Sequence, residues 1–173
     1  MTVAAVVLLG LVALAGLVLS AWGERVRPPW GAMVLAGLLV GAGALAWAGG
    51  SPTEGVTEAA AVAGVLAAVA AGGPVATAIV GAADPAEVSV RGGPQDPDIL
   101  RGGAWIGVLE RAAVAATLLA GSAEGLVVVI AVKGLGRYAE LRNAAAAERF
   151  IVGTLASGVW AAACVGVAIL LRG

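Results

Sequence analysis

The sequence predicts an all-α integral membrane protein, a bundle of about six transmembrane helices. Of its 173 residues, 61% are hydrophobic and 12% are charged, whereas an ordinary soluble domain has roughly 25% charged residues. Several apolar runs reach about 20 residues, the length that crosses about 30 Å of hydrocarbon at about 1.5 Å per residue. The chain contains no histidine and a single cysteine, Cys164, which excludes histidine-based metal sites, Cys-His nucleophiles and internal disulfides. We therefore expect no cofactor.

Three apolar segments make up the predicted N-terminal membrane region, residues 1–82. They extend from about residue 3 to 22, from 30 to 48 and from 57 to 82. The first begins at Met1 without a preceding Lys or Arg, which is typical of a retained spanning helix, not a cleaved signal peptide. It ends before Pro28 and Pro29, which cannot continue a helix. The "GGP" at 72–74 predicts a kink or break in the third segment.

A polar loop at 83–103 separates this region from a C-terminal membrane region at 104–173. The loop is rich in proline, glycine and acidic residues, which is typical of a connection. The C-terminal segments extend from about 105 to 121, from 123 to 138 and from 148 to 171. Because only "GSAE" joins the first two, we expect a tight antiparallel hairpin.

The basic residues of the connections predict an orientation, since cytoplasmic loops carry an excess of Lys and Arg. The first, third and fifth connections carry Arg25 and Arg27, Arg91 and Arg101, and Arg137, Arg142 and Arg149, whereas the second and fourth carry none. We place the odd connections in the cytoplasm and both termini outside, with Arg172 against the bias. Three spans per half would give the halves opposite topologies, as in inverted-repeat transporters, although no convincing sequence similarity relates them.

The hairpin sets the depth of its charged residues. A turn at Gly121 and Ser122 places Glu110 level with Lys133, and Trp105 level with Tyr138. Trp and Tyr both favour the membrane interface, so the two pairings agree on one register. Glu110 then lies about 7.5 Å inside, near the cytoplasmic face. We expect it to pair with Lys133, because intramembrane charges usually pair with one another.

Arg111 is turned about 100° from Glu110 around the same helix, so the two side chains face different neighbours. One would serve the hairpin partner, while the other reaches the sixth segment or snorkels to the surface. Thr154 and Ser157 lie three residues apart on the sixth segment. Their hydroxyls would bond across to Glu110 or Lys133, or return to their own backbone carbonyls.

These residues define a candidate ligand-binding cluster at the cytoplasmic ends of the last three segments. Its members are Glu110, Arg111, Lys133, Arg137, Glu148, Arg149, Thr154 and Ser157. One interpretation is a basic pocket for an anionic headgroup or phosphate, with Glu110 as a proton-coupling or cation-binding group. The other is that the intramembrane charges pair structurally while the loop arginines fix the topology.

The stretches "GGAWIGVLER", "AVKGLGRYAEL" and "ERFIVGTLASGVW" resemble the C-terminal three-helix region of a bacterial integral membrane protein family of unknown function. The resemblance covers residues 102–171 and leaves the first 100 residues without a counterpart. It implies a location in the bacterial cytoplasmic membrane, and it implies no chemistry. It groups into one unit Ile106, Gly107, Glu110, Arg111, Lys133, Arg137, Glu148, Gly153, Thr154 and Ser157.

Two functions from different classes follow. The first is a small transporter-like or anionic-lipid-binding membrane protein, with membrane lipids, including phosphate-bearing ones, as partners and no nucleic acid. The second is a structural or assembly subunit of a membrane complex or homo-oligomer, in which the cluster only holds the hairpin together. A membrane enzyme is disfavoured, because no nucleophile or metal motif is present and the chemistry would depend on Glu110 and the loop acids Asp84, Glu87, Asp96 and Asp98.

Overall fold

The computed structural model describes residues 1–21, 29–83, 102–136, 138 and 144–172, and it confirms the all-α class. The six helices are α1 (Thr2–Ala21), α2 (Pro29–Trp47), α3 (Glu54–Ala83), α4 (Gly102–Leu119), α5 (Ala123–Gly136) and α6 (Ala144–Leu170). The predicted segments correspond to these helices one to one. The largest differences are at the starts of α3, α4 and α6, which begin three, three and four residues earlier than the hydrophobic pattern indicates, because each first turn is polar or rich in glycine and alanine.

Four of the helices are long and apolar enough to cross a membrane: α1, α2, α3 and α6. The other two, α4 and α5, do not meet this criterion, so the described residues show four candidate spans where the sequence predicts about six. Helix α5 has 14 residues, or about 21 Å of length. Helix α4 has 18 residues with Glu110 and Arg111 at its centre.

Helix α3 occupies the middle of the bundle and packs against α1, α2, α4 and α6. Small residues allow this close approach. A Cβ on Gly16 of α1 would lie 2.5 Å from the Ala71 backbone, and one on Gly64 would lie 3.2 Å from the Cys164 carbonyl of α6. Small residues at such crossings let helix backbones come together, as is usual in membrane bundles.

Helix α3 continues through "GGP" without breaking. Pro74 has no N–H, so the Ala70 carbonyl one turn earlier loses its helical donor. Gly73 has no Cβ to meet the proline ring, which allows helical backbone directly before a proline. The predicted interruption is therefore one of hydrogen bonding within a continuous helix.

The turn between α4 and α5 is the tight hairpin that the sequence predicts. Gly121 has a φ of 69°, a conformation that glycine adopts readily. The Ser122 N–H donates to the Thr117 carbonyl at 2.9 Å, and the Gly121 N–H donates to the Leu118 carbonyl at 3.1 Å. These two bonds form a Schellman motif, which closes the C-terminus of α4. Gly125 leaves room for the Thr117 methyl group, so α5 packs directly on α4.

The outer surface is apolar, and the polar side chains that are buried lie inside. Large hydrophobic side chains are exposed along all six helices. Among the described residues, the buried polar or charged side chains are Arg111 and Ser157. This distribution is the reverse of that in a water-soluble domain, where charged residues almost never lie fully buried.

Candidate functional site

Glu110 and Lys133 form an ion pair between α4 and α5. The Lys133 Nζ lies 2.5 Å from Glu110 Oε2, and the exposed fractions of the two side chains are 20% and 9%. The predicted pairing, and with it the register of the hairpin, is confirmed. Lys133 also lies 5.5 Å from the centroid of the Phe150 ring of α6, within the range of a cation–π contact. The pair is thus locally neutral and covered by an aromatic ring.

Arg111, the next residue of α4, faces α3 and α6 instead of α5 and is 6% exposed. Its Nε–H and Nη2–H groups donate to the Val69 carbonyl of α3 at 3.2 and 3.1 Å. Its Nη1–H donates to the Ser157 hydroxyl oxygen of α6 at 3.4 Å. The expectation that one of the two charges reaches the sixth helix is confirmed for Arg111, whereas its contact with α3 was not predicted.

The Arg111 side chain lies in a slot formed by glycines. A Cβ on Gly72 would overlap its Cδ and Nε atoms, and a Cβ on Gly107 would lie 3.0 Å from Nη1. Trp160 borders the same slot, since the Gly72 Cβ position is 3.2 Å from its Cδ1 atom. The glycines of α3 and α4 therefore make space for a guanidinium inside the bundle.

Three neighbouring carbonyls of α3 accept hydrogen bonds from side chains of three different helices. The Trp160 indole N–H of α6 donates to Ala67 at 3.3 Å, Arg111 of α4 donates to Val69, and the Ser20 hydroxyl of α1 donates to Ala70 at 3.3 Å. The Ala70 oxygen is the one that Pro74 leaves without a helical donor. Polar groups from α1, α4 and α6 thus converge on the part of α3 that directly precedes "GGP".

The hydrogen bonding of Thr154 and Ser157 differs from both predicted alternatives. Ser157 accepts from Arg111, not from Lys133, and it does not approach Glu110 in the described contacts. The Thr154 hydroxyl oxygen is buried and has no hydrogen-bond partner among the described residues. The reason is that Arg111 occupies the face of α4 directed at α6, while Glu110 is directed at α5.

The remaining residues of the predicted cluster lie at its edge or outside the described residues. Glu148 is exposed and Arg149 is partly buried in the second turn of α6. Arg137 lies outside the described residues, as do Arg101 and Arg142. The structure adds members that the hydrophobic pattern did not indicate, namely Val69, Phe150 and Trp160. Only "GGP" could have pointed to α3, because a proline within a helix frees a carbonyl.

Fold and site together define an all-helical protein with four helices suited to a membrane, an apolar exterior and a charged group buried between three helices. No protein-family model matches the chain, and neither a curated protein nor a solved structure shows detectable similarity to it. The resemblance of residues 102–171 to a bacterial membrane protein family therefore stays an expectation.

Proposed function

We propose that this protein is a small polytopic membrane protein of transporter-like build that binds an anionic group, carried by a lipid headgroup or another phosphate-bearing molecule. The observation that carries the proposal is Arg111. It is a buried guanidinium, and among the described residues no carboxylate oxygen lies within 4.0 Å of it. A cation inside an apolar bundle is costly, and in membrane proteins such residues commonly mark substrate or ion pathways.

The neutral Glu110–Lys133 pair beside Arg111 supports an anion as the ligand. Because Glu110 is bound to Lys133, the positive charge of Arg111 has no direct partner in the described part of the bundle. Guanidinium groups recognise phosphate and carboxylate oxygens through paired N–H donors. The charge excess at this junction therefore favours an anionic ligand over a cation.

The backbone around Arg111 supports a transporter-like build. Secondary transporters bind their substrates where helices are interrupted by glycine or proline near the interface of two halves. Here Arg111 binds α3 next to "GGP", and α3 packs against α6, the last helix of the other half. In each half the first helix packs against the other two, consistent with the proposed arrangement of three plus three helices. With the odd connections in the cytoplasm, the charged groups lie toward that side.

The test is anionic-lipid retention. The full chain is purified in mild detergent with phosphatidylglycerol and phosphatidylcholine in equal amounts, and native mass spectrometry counts the bound lipids. We expect the wild type to retain phosphatidylglycerol selectively, and Arg111→Gln to retain at least tenfold less. Arg172→Gln is the matched control, because Arg172 also donates to a helix carbonyl, that of Leu119, but is exposed. Equal retention of the two lipids by the wild type would exclude a lipid headgroup as the ligand, and the absence of binding to inorganic phosphate as well would refute the proposal.

A second function, structural or assembly subunit of a membrane complex, has support from the Glu110–Lys133 pair. This pair is fully matched in charge and joins the hairpin helices, which is what a purely structural contact requires. The same mass spectra separate the two functions. A stoichiometric partner chain with no retained anionic lipid would favour the subunit.

A further inference from the structure

The groups around Arg111 show which atoms a phosphate group would contact. A guanidinium has five N–H donors, of which Arg111 uses three, on Val69 and Ser157. One N–H on each terminal nitrogen is left over. Both terminal nitrogens lie beside glycines, since a Cβ on Gly107 would lie 3.0 Å from Nη1 and one on Gly73 would lie 3.8 Å from Nη2. No side chain of those two residues covers the remaining donors.

The hydroxyls of α6 supply further donors. Three other helical threonines donate to carbonyls of their own helix: Thr57 to Glu54, Thr77 to Gly73 and Thr117 to Val114. This return bond is the usual one for a hydroxyl in a helix. Thr154 makes no such bond, and its buried oxygen has no partner among the described residues. Ser157 accepts from Arg111, which leaves its own hydrogen free to donate.

Thr154 lies on α6 between the residues that contact Lys133 and Arg111. Phe150, four residues earlier on α6, contacts Lys133, and Ser157, three residues later, contacts Arg111. At about 1.5 Å of rise per residue, Thr154 lies about 4.5 Å along the helix from Ser157, on the same side. A buried hydroxyl without a partner is costly, and a ligand oxygen bound beside Arg111 would remove that cost.

We propose that Arg111, Ser157 and Thr154 form the binding site for the phosphate group, and that the Glu110–Lys133 pair does not contact it. This inference rests on the proposed function and assigns its residues. Every free group of the site can donate a hydrogen bond, the site carries one positive charge, and the Val69 oxygen already accepts from Arg111. Such a set matches the oxygens of a phosphate monoester or diester, and its positive charge disfavours cations.

Thr154→Val tests the assignment, because valine keeps the shape of threonine and replaces the hydroxyl with a methyl group. Without ligand, the variant should melt about 2 °C higher than the wild type, since an unsatisfied buried group is gone. With ligand, it should bind about tenfold more weakly, since one hydrogen bond to a charged group is lost. Thr117→Val is the matched control: its hydroxyl bonds within α4, and binding should be unchanged.

Two arms separate the possible sources of the phosphate group. In one, inorganic phosphate is titrated calorimetrically into the full chain in phosphatidylcholine nanodiscs. In the other, phosphatidylglycerol replaces part of the phosphatidylcholine, and retained lipid is counted by native mass spectrometry. Weaker binding of Thr154→Val in the first arm assigns a soluble phosphate compound, and in the second a lipid headgroup. If the wild type binds either probe and Thr154→Val binds it as tightly, this inference is overturned while the proposed function stands. If the wild type binds neither probe, both fail.

Discussion

Two adjacent residues of α4 bring opposite charges into the bundle and meet different surroundings. Glu110 faces α5 and finds a lysine at 2.5 Å. Arg111 faces α3 and α6 and finds a carbonyl and a hydroxyl. The first contact cancels a charge, whereas the second disperses one over neutral acceptors. An ion pair that is complete needs no further partner, while a guanidinium on neutral oxygens keeps both its charge and part of its donors. The α4–α5 contact is therefore suited to holding a hairpin, and the α3–α4–α6 junction is the one that we propose binds an anion.

The largest expected effect comes from closing the slot on the Arg111 side. In Gly72→Ala the new methyl group would overlap the Arg111 side chain, which is held at its far end by three hydrogen bonds. We expect the free energy of unfolding to fall by about 3 kcal/mol, the upper end for overpacking a filled interior. Titration with sodium dodecyl sulfate in mixed micelles, followed by circular dichroism, measures it.

Gly158→Ala is the control for this change, because apart from the adjacent residues and backbone of its own helix no atom lies within 4 Å of the Cβ position on that glycine. It should leave the stability unchanged or raise it by up to about 1 kcal/mol, through the higher helix propensity of alanine. Equal losses in the two variants would show that the slot is not tightly filled, and the contrast between the two sides of α4 would lose its structural basis.

The next largest effect comes from the ion pair. Glu110→Gln leaves Lys133 without its carboxylate, and Lys133→Met leaves Glu110 without its ammonium group. Each single change should lower the free energy of unfolding by about 2 kcal/mol, below the value for a fully buried pair because Lys133 is 20% exposed. The double variant should lose less than either single variant, since replacing both charges removes the unpaired ion.

The same double variant distinguishes the roles of the two sides. Because Arg111 and its contacts on α3 and α6 are untouched, retention of phosphatidylglycerol should match that of the wild type. Additive losses of stability would show that the pair is not coupled. Loss of lipid retention in a stably folded double variant would place the ligand on the pair and remove the distinction between the two regions.

Much of this arrangement could be predicted from the sequence, because it depends on short-range geometry. Hydrophobic runs gave the six helices, and the four-residue connection fixed the hairpin register, so Glu110 could be paired with Lys133 by counting. For contacts between segments that are far apart in the sequence, no short connection fixes which residues lie at the same depth. The bonds from Arg111 to Val69 and from Trp160 to Ala67 join residues 42 and 93 positions apart. Their acceptors are backbone carbonyls, which every residue has, so the residue type does not indicate which carbonyl will accept. The predicted hydrogen-bond partners of Thr154 and Ser157 were wrong for the same reason, because the partner of a hydroxyl on α6 depends on which groups of α4 lie next to it.

The smallest expected effect tests whether the proline of α3 is what recruits polar groups to it. Ser20→Ala removes the hydroxyl that donates to the Ala70 carbonyl at 3.3 Å, and it should lower the free energy of unfolding by about 0.6 kcal/mol, the average for such bonds between membrane helices. Pro74→Ala returns an N–H to position 74, and that group donates to the same carbonyl within the helix. In the Pro74→Ala background, Ser20→Ala should therefore cost almost nothing. A full double-mutant cycle by the same detergent titration gives the coupling directly. An equal cost in both backgrounds would mean that the Ala70 carbonyl accepts from Ser20 whether or not position 74 has an N–H. The glycines at 72 and 73, not the proline, would then be what gives Arg111 access to α3.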